Sequence, residues 1–376
     1  MPRFPPSLVR HAYNKSPLLP LVLQGARTLD SAINELRWLR EHVQTLKPAN
    51  AQQSRKLLFE FCKRRSRAEP LQYILGSQPF GDLDLKCRPG VLIPRPETES
   101  YTAYLAKLLN QDQLHPDLVQ SSRGQTTERP LRILDLCSGS GCISLLLHSL
   151  LHPKFPHLHV WGLDKSRVAV TLARENLARN VAAGNIDPVA ILDDDTHSPQ
   201  VQFGRANVFR NAELSRLPQE FDLIVSNPPY VSEQQYNTST TRSVRNFEPR
   251  RALVPTVPSD FNYALERTDT ASEDAFYLRL VSLHLMYQSS VLLTEVGDAA
   301  QAARVAELML KSGPPIQNGS RQHRVEIWRD APEQEDGSST VEEHDGRHIP
   351  IRGTGKIRAV ALFRDRGLCR PDGNGR

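Results

Sequence analysis

No apolar run in this chain approaches the roughly 18–20 residues that a helix needs to cross a bilayer, so no membrane anchor is expected. Cysteine is scarce: Cys62, Cys87, Cys137, Cys142 and Cys369 make five among 376 residues, with no CxxC pair and no Cys/His cluster at zinc-binding spacing. A scattered, odd-numbered set points to reduced thiols in a non-secretory compartment and to no metal site. Acidic residues are missing from positions 1–29, where Arg3, Arg10, Lys15 and Arg27 have no counter-charge before Asp30. Basic, acid-free and hydroxyl-containing is the composition of a mitochondrial transit peptide. Residues 1–27 are therefore expected to be a transit or disordered segment. The whole-chain charge of +5 is mild. It suits a nucleic-acid-associated partner or an organelle matrix protein, and does not choose between them.

What is present divides into two textures. In "TLDSAINELRWLREHVQTLK", Ile33, Leu36, Leu39, Val43 and Leu46 recur at three- and four-residue steps, the mark of an amphipathic helix. A second helical stretch spans about 52–66, with Leu57, Leu58 and Phe61. Residues 28–75 thus read as a small helical domain that docks a partner. A β-hairpin is expected over 76–96, from the alternation of Leu83, Leu85 and Cys87 and the Pro-Gly at 89–90. Residues 111–129 are polar and aperiodic, hence a loop. The basic run Lys63, Arg64, Arg65, Arg67 reads as a solvated helix end.

Beyond Pro130, strands alternate with helices: "LRILDL", a helix from Cys142, "LHVWGLD", a helix ending near Gly184, then "VQF", "FDLIVS", "SSVLLTEV", and a helix over 298–311. Such alternation predicts a doubly wound α/β sheet. The last two strands, "HRVEIWR" and "KIRAVALFR", have no helix between them and are expected to pair antiparallel. The acidic insertion at about 330–350 would be a solvated loop at their tip.

Two motifs carry chemistry. In "ILDLCSGSGCI", a first strand passes into a first helix through Cys137, Ser138, Gly139, Ser140 and Gly141. Glycines there let the backbone turn tightly and approach a ligand. Asp135 precedes the loop, and Asp164 ends the second strand, where a carboxylate can hold the two ribose hydroxyls of an adenosine. The spacing does not separate a dinucleotide from S-adenosylmethionine, and a purely structural turn is the bland alternative. Cys137 replaces the usual first glycine, so an ordinary φ is expected at 137, with the tightest turn at Gly139.

The second motif is Asn227-Pro228-Pro229-Tyr230, which ends an apolar strand. Proline stops the strand by removing a ladder donor and holds the preceding residue extended. Asn227 offers a side-chain oxygen and Pro228 a carbonyl, two acceptors suited to one NH₂ group. Tyr230 offers a flat face to a planar group. Together they suggest methylation of an amino or amide nitrogen.

With "EPLQYILGSQPFGDLDL", "VLIPRPETE", "VRNFEPRRALV", "LLTEVGDAAQA" and "GKIRAVALFRD", these motifs make the chain resemble class I S-adenosylmethionine-dependent amino-methyltransferases. More narrowly, it resembles the HemK/PrmC-type release-factor glutamine methyltransferases, from about Glu69 to the last strand. The resemblance implies a seven-stranded methyltransferase sheet over 97–376 and S-adenosylmethionine as cofactor. The substrate it implies is the glutamine of the Gly-Gly-Gln motif of a class 1 peptide-chain release factor. Residues 227–230 would hold the glutamine amide, 137–141 the methionine part of the cofactor, and Asp164 its ribose. Asn207 and Val208 would stand at the adenine, with Arg95 and Glu97 around the site. The helical domain beside a basic N-terminus points to the mitochondrial form, located in the matrix, with the cytoplasm as alternative. Neither a membrane nor a direct nucleic-acid partner is expected. The competing reading is an amino-methyltransferase of adenine or guanine bases, which should show a basic, aromatic-interleaved surface.

Overall fold

The computed structural model describes residues 4–111, 113, 130–192, 199–259, 261, 271–312, 324–334, 340–344 and 347–364. Most of the polar stretch 111–129, part of "LDDDTHSPQ", and residues 335–339 and 345–346 of the 330–350 insertion lie outside them. The chain divides into two compact units. One comprises Met1–Gln78, Lys86–Ile93 and Gln235–Arg250; the other comprises Pro79–Leu85, Pro94–Gln234 and Arg251–Arg376. Chain-order cuts after 75 and 96 therefore differ from the spatial division, because residues 235–250 fold with the first unit.

The first unit is helical, with helices at Pro6–Lys15, Leu19–Ala26, Leu29–Thr45, Ala51–Ser66 and Leu71–Leu75. The third helix begins where Thr28 accepts a hydrogen bond from the Ser31 amide, 3.3 Å, an N-cap that satisfies one orphan donor. Its buried face is Ala32, Glu35, Leu36, Leu39 and Val43. The expected stripe was turned slightly: Ile33 and Leu46 are exposed. The buried face follows steps 32, 36, 39 and 43.

Two expectations are corrected here. Residues 4–27 are not a disordered tail, since Ala12, Leu19, Val22 and Leu23 are buried in the same apolar cluster as Leu36 and Leu39. The basic run is not simply a solvated end either. Arg65 is 8% exposed and forked onto Glu35, at 2.6 and 3.0 Å, while Arg64 donates to Glu69. A buried guanidinium needs such partners, because desolvating an unpaired charge costs several kcal/mol. In the same unit, Glu248 of "FEPR" accepts from the Ile93 amide at 3.0 Å, and Phe247 packs on Tyr73, Cys87 and Ile93.

Within the stretch 76–96, β1 (Ser77–Phe80) and β2 (Leu83–Lys86) form a hairpin that ends at Lys86. The second unit holds one nine-stranded sheet of β3 (Arg132–Leu136), β4 (His159–Asp164), β5 (Val201–Arg205), β6 (Leu223–Ser226), β7 (Val291–Glu295), β8 (Arg324–Ala331), β9 (Thr340–His344), β10 (Arg347–Arg352) and β11 (Thr354–Phe363). Their order is β5-β4-β3-β6-β7-β11-β8-β10-β9. The first five in that order are parallel, and β11 runs antiparallel to both β7 and β8. That is the doubly wound sheet, closing on an antiparallel pair.

Alternate residues of each buried strand feed opposite faces. Ile133, Val225 and Leu293 pack under helices Pro96–Asn110, Cys142–Leu151 and Arg167–Ala182. Leu134, Ile224 and Leu292 pack under Ala275–Met286 and Ala299–Lys311. Two apolar faces explain why these strands read as continuous hydrophobic runs.

The insertion at 330–350 is the clearest departure. It was expected to be a loop, but β9 and β10 add two strands to the edge of the sheet, with β10 parallel to β8. The attachment is chemical as well as apolar. Ile349 is 2% exposed, and Arg352 forks onto the buried Glu326 at 2.5 and 2.9 Å. Glu326 stays ionised there, its carboxyl held below its usual range by the Arg352 and Arg324 guanidinium groups against the opposing effect of burial.

Candidate active site

All the strands that matter end on one side of the sheet, where open α/β folds bind ligands outside the strand termini at the switch in strand order. β3 is that switch: β4 lies on one flank and β6 on the other. The glycine loop leaves β3, Asp164 ends β4, Asn227 follows β6, and Glu295 ends β7.

The loop is tighter than its composition suggests. Three residues have positive φ: Cys137 at 63°, Gly139 at 56° and Gly141 at 81°. The expected ordinary φ at Cys137 is thus corrected. The chain must reverse from β3 into the helix within five residues, and Gly139 alone does not accomplish it. A cysteine in that region carries a strain of roughly 1–2 kcal/mol that glycine would avoid. Burial pushes the Cys137 thiol far above its ordinary pKa, so it is neutral. Gly141 needs its lack of a side chain as well, since a Cβ there would come within 2.8 Å of the Phe203 ring. At Gly139 the added Cβ meets only the Cys137 carbonyl, at 3.9 Å. Its open side faces outward from the loop, leaving backbone available to a ligand.

Asp164 is tied to that loop. One carboxylate oxygen accepts from the Gly139 amide at 3.0 Å, the other from the Ser166 amide at 2.7 Å. Burial raises its pKa; these amides and Arg251 oppose that. Asp135 is fully buried and accepts from both the amide and the hydroxyl of Ser144, at 3.1 and 2.6 Å. Among the described residues its Oδ1 has no hydrogen-bond partner, and neither does the buried Oγ of Ser138. Burial pushes the Asp135 carboxyl up to about 7. Ser140 is anchored by its carbonyl, which accepts from Asn176 at 3.0 Å. Unsatisfied buried polar atoms, a loop with an open backbone face and a carboxylate at the second strand end fit an adenosyl-amino-acid cofactor.

On the other flank, Asn227 donates from Nδ2 to Glu295 Oε2 at 2.8 Å and to Thr98 Oγ1 at 3.3 Å. Thr98 donates to the same Glu295 oxygen at 2.6 Å, and the Tyr230 hydroxyl donates to Oε1 at 2.8 Å. Glu295 is 3% exposed; burial raises its pKa, while Thr98, Tyr230, Tyr101 and Arg358 pull it back. Pro228 and Pro229 are buried beside it. Arg95 stands at the N-cap position of the helix Pro96–Asn110, and its charge acts on Tyr230. Glu97 pairs with Arg358 at 3.6 Å.

Asp135, Cys137–Gly141, Asp164 and Asn227–Tyr230 therefore gather at one sheet edge. Val208 does not present its side chain there. It is 5% exposed within the apolar cluster of the second face, while Asn207 borders a cavity of about 340 Å³ with Lys165 and Arg205. Thr98 and Glu295 had no role assigned from sequence, although both lie in quoted segments. The legible signal was a carboxylate ending the apolar strand "VLLTE", which burial obliges to find donors.

A doubly wound sheet with this loop and this Asn-Pro-Pro-Tyr edge defines an S-adenosylmethionine-dependent methyltransferase, and a family model described as "Methyltransferase small domain" matches residues 124–248. The Mitochondrial MRF1 N(5)-glutamine methyltransferase MTQ1 of Saccharomyces cerevisiae is 32% identical over 77% of this chain and 86% of its own length. The Probable MRF1 mitochondrial N(5)-glutamine methyltransferase mtq1 of Schizosaccharomyces pombe is 33% identical over 64% of this chain and 70% of its own. A Release factor glutamine methyltransferase of Thermodesulfovibrio yellowstonii is 32% identical over 67% and 71%. The chain belongs to the release factor N5-glutamine methyltransferase family.

Proposed function

We propose that this protein methylates the side-chain amide nitrogen of the Gly-Gly-Gln glutamine in a mitochondrial class 1 peptide-chain release factor, in the matrix. The observation that carries the reading is Asn227 at the end of β6, one strand from the glycine loop, in a chain whose fungal relatives are named for mitochondrial glutamine methylation. The methyl group comes from S-adenosylmethionine, for which Asp135, Cys137–Gly141 and Asp164 form the receptor.

An amide nitrogen is a poor nucleophile because its lone pair is delocalised into the carbonyl. Asn227 Oδ1 and the Pro228 carbonyl would accept its two N–H bonds. That orients the lone pair toward the sulfonium methyl and stabilises the positive charge growing on nitrogen. S-adenosylmethionine held there would supply the methyl and keep the C–S electron pair on sulfur, while Asn227 and Pro228 hold the nitrogen until an N–H proton could leave to solvent. The base-methylating alternative is weakened in the helical unit, where Arg64 and Arg65 are engaged by Glu69 and Glu35.

The test is to incubate the purified protein with S-adenosylmethionine and a mitochondrial release factor and to map the product by peptide mass spectrometry. The methyl should fall on the Gly-Gly-Gln peptide. An unmodified peptide, with transfer to RNA or DNA instead, overturns the reading.

A further inference from the structure

Asn227 can hold its amide in either of two orientations that differ by exchanging oxygen and nitrogen. Only one presents an acceptor to an incoming N–H group, so something must choose. The choice lies in buried groups outside the Asn-Pro-Pro-Tyr segment.

We propose that Thr98 and Glu295 are positioning residues that lock the Asn227 amide with its NH₂ inward and Oδ1 facing the substrate. The inference rests on the reading of Asn227 as receptor for a substrate NH₂ group. The logic is one of donor polarity. Glu295, as a carboxylate, only accepts hydrogen bonds. Thr98 Oγ1 lies 2.6 Å from it and must spend its single proton there. Thr98 then has only lone pairs to offer Asn227, 3.3 Å away. The second contact of Asn227 is the same Glu295 oxygen, at 2.8 Å. Both neighbours are acceptors, and the Asn227 NH₂ has two hydrogens to match them. Turned over, Oδ1 would face two acceptors in place of donors, and the Thr98 and Glu295 oxygens would both lose the bond from Nδ2. Tyr230 completes the lock by donating to the other Glu295 oxygen at 2.8 Å, which fixes the carboxylate plane.

The lock also bears on selectivity. With Oδ1 outward, the site accepts hydrogens and repels a carboxylate, so glutamine is received and glutamate refused. Thr98 comes from the helix that opens "PETE", Asn227 from β6 and Glu295 from β7. Three separate elements thus set one rotamer.

The experiment compares Thr98→Val, Thr98→Ser and Glu295→Gln in the full chain, with two readouts. The first needs no release factor. In protein labelled with ¹⁵N-asparagine, the Asn227 side-chain NH₂ signal, assigned by its loss in Asn227→Ala, should exchange slowly with solvent. Thr98→Val should speed that exchange at least about tenfold, Thr98→Ser should restore it, and Glu295→Gln should speed it further. The second readout is methylation of the release factor. Removing one preorganised group typically lowers kcat about 10²-fold. Glu295→Gln is expected to fall by that order and Thr98→Val by about tenfold, with the KM for S-adenosylmethionine unchanged and Thr98→Ser near wild type. Slow Asn227 exchange in all three variants overturns the inference, as does a Thr98→Ser enzyme no better than Thr98→Val. A protected Asn227 amide in a wild-type protein that leaves the release factor unmethylated would sink the proposed substrate and leave the lock standing. Glu295→Gln is the variant that risks misfolding, and the two Thr98 variants carry the test without it.

Discussion

Cys137 offers a prediction whose sign, rather than size, is decisive. At an ordinary backbone position, replacing glycine by alanine stabilises a protein by about 0.4–1 kcal/mol, because alanine restricts the unfolded chain. At Cys137, φ is 63°. There any residue with a Cβ carries roughly 1–2 kcal/mol of strain, which exceeds the entropic benefit. Comparing Cys137→Ala with Cys137→Gly cancels the lost thiol, since both variants lack it and its contact with the apolar cluster of the second face. The glycine variant should be more stable than the alanine variant by about 1 kcal/mol, the difference between those two terms. A Val variant should be worse than either, since β-branching adds crowding. Urea midpoints of the three proteins, each with the denaturant slope checked for constancy, read the order directly. An alanine variant equal to or more stable than the glycine variant would refute the left-handed turn at 137 and return the strain to Gly139.

Three further outcomes follow from the structure. Gly162→Ala should destabilise the sheet by about 1–3 kcal/mol through overpacking. The new Cβ would collide with the Phe203 ring and come within 2.9 Å of Ser144 Oγ, and unchanged thermal unfolding would contradict that packing. Asp135 has its carboxyl raised to about 7 from 3.8, so the folded state holds a proton that the unfolded chain releases between about pH 4 and 7. Its contribution to stability therefore falls as pH rises through that window and stays low above it. Asp135→Asn should flatten this dependence, and parallel curves of urea midpoint against pH would count against it. Deleting residues 1–27 removes Leu19, Val22 and Leu23 from a core in which each is at most 1% exposed. At about 1.5–3 kcal/mol per buried side chain, the loss should unfold the helical unit, seen as lost far-ultraviolet helical signal. Retained helicity would restore the view of a detachable segment.

Much of the architecture was legible because period and punctuation coincide. Strands buried on both faces must be continuously apolar, so "ILDL", "LIVS" and "VLLTE" announced themselves, and the glycine loop and the Asn-Pro-Pro-Tyr edge stood at strand ends where ligands bind. Other features were invisible for physical reasons. The acidic insertion looked like a loop because its pairing depends on Glu326 and Arg352, residues far apart in sequence whose attraction composition does not reveal. Residues 4–27 looked like a tail because they are basic and free of acidic residues; their buried apolar side chains share one cluster with those of the helices that follow, a partnership that composition does not reveal. The side chain of Val208, a residue that resemblance puts near the adenine, packs inside, which its sequence neighbours do not reveal.

By itself, then, the sequence determined the class of chemistry. A residue type such as Asn before two prolines has few uses, and those uses survive any placement. Only the tertiary structure decided how that asparagine works. A side-chain amide has no preferred face until neighbours supply one, and those neighbours, Thr98 and Glu295, reach it from 129 and 68 residues away. Donor polarity is a property of contacts, and contacts of that range exist only after the chain has folded.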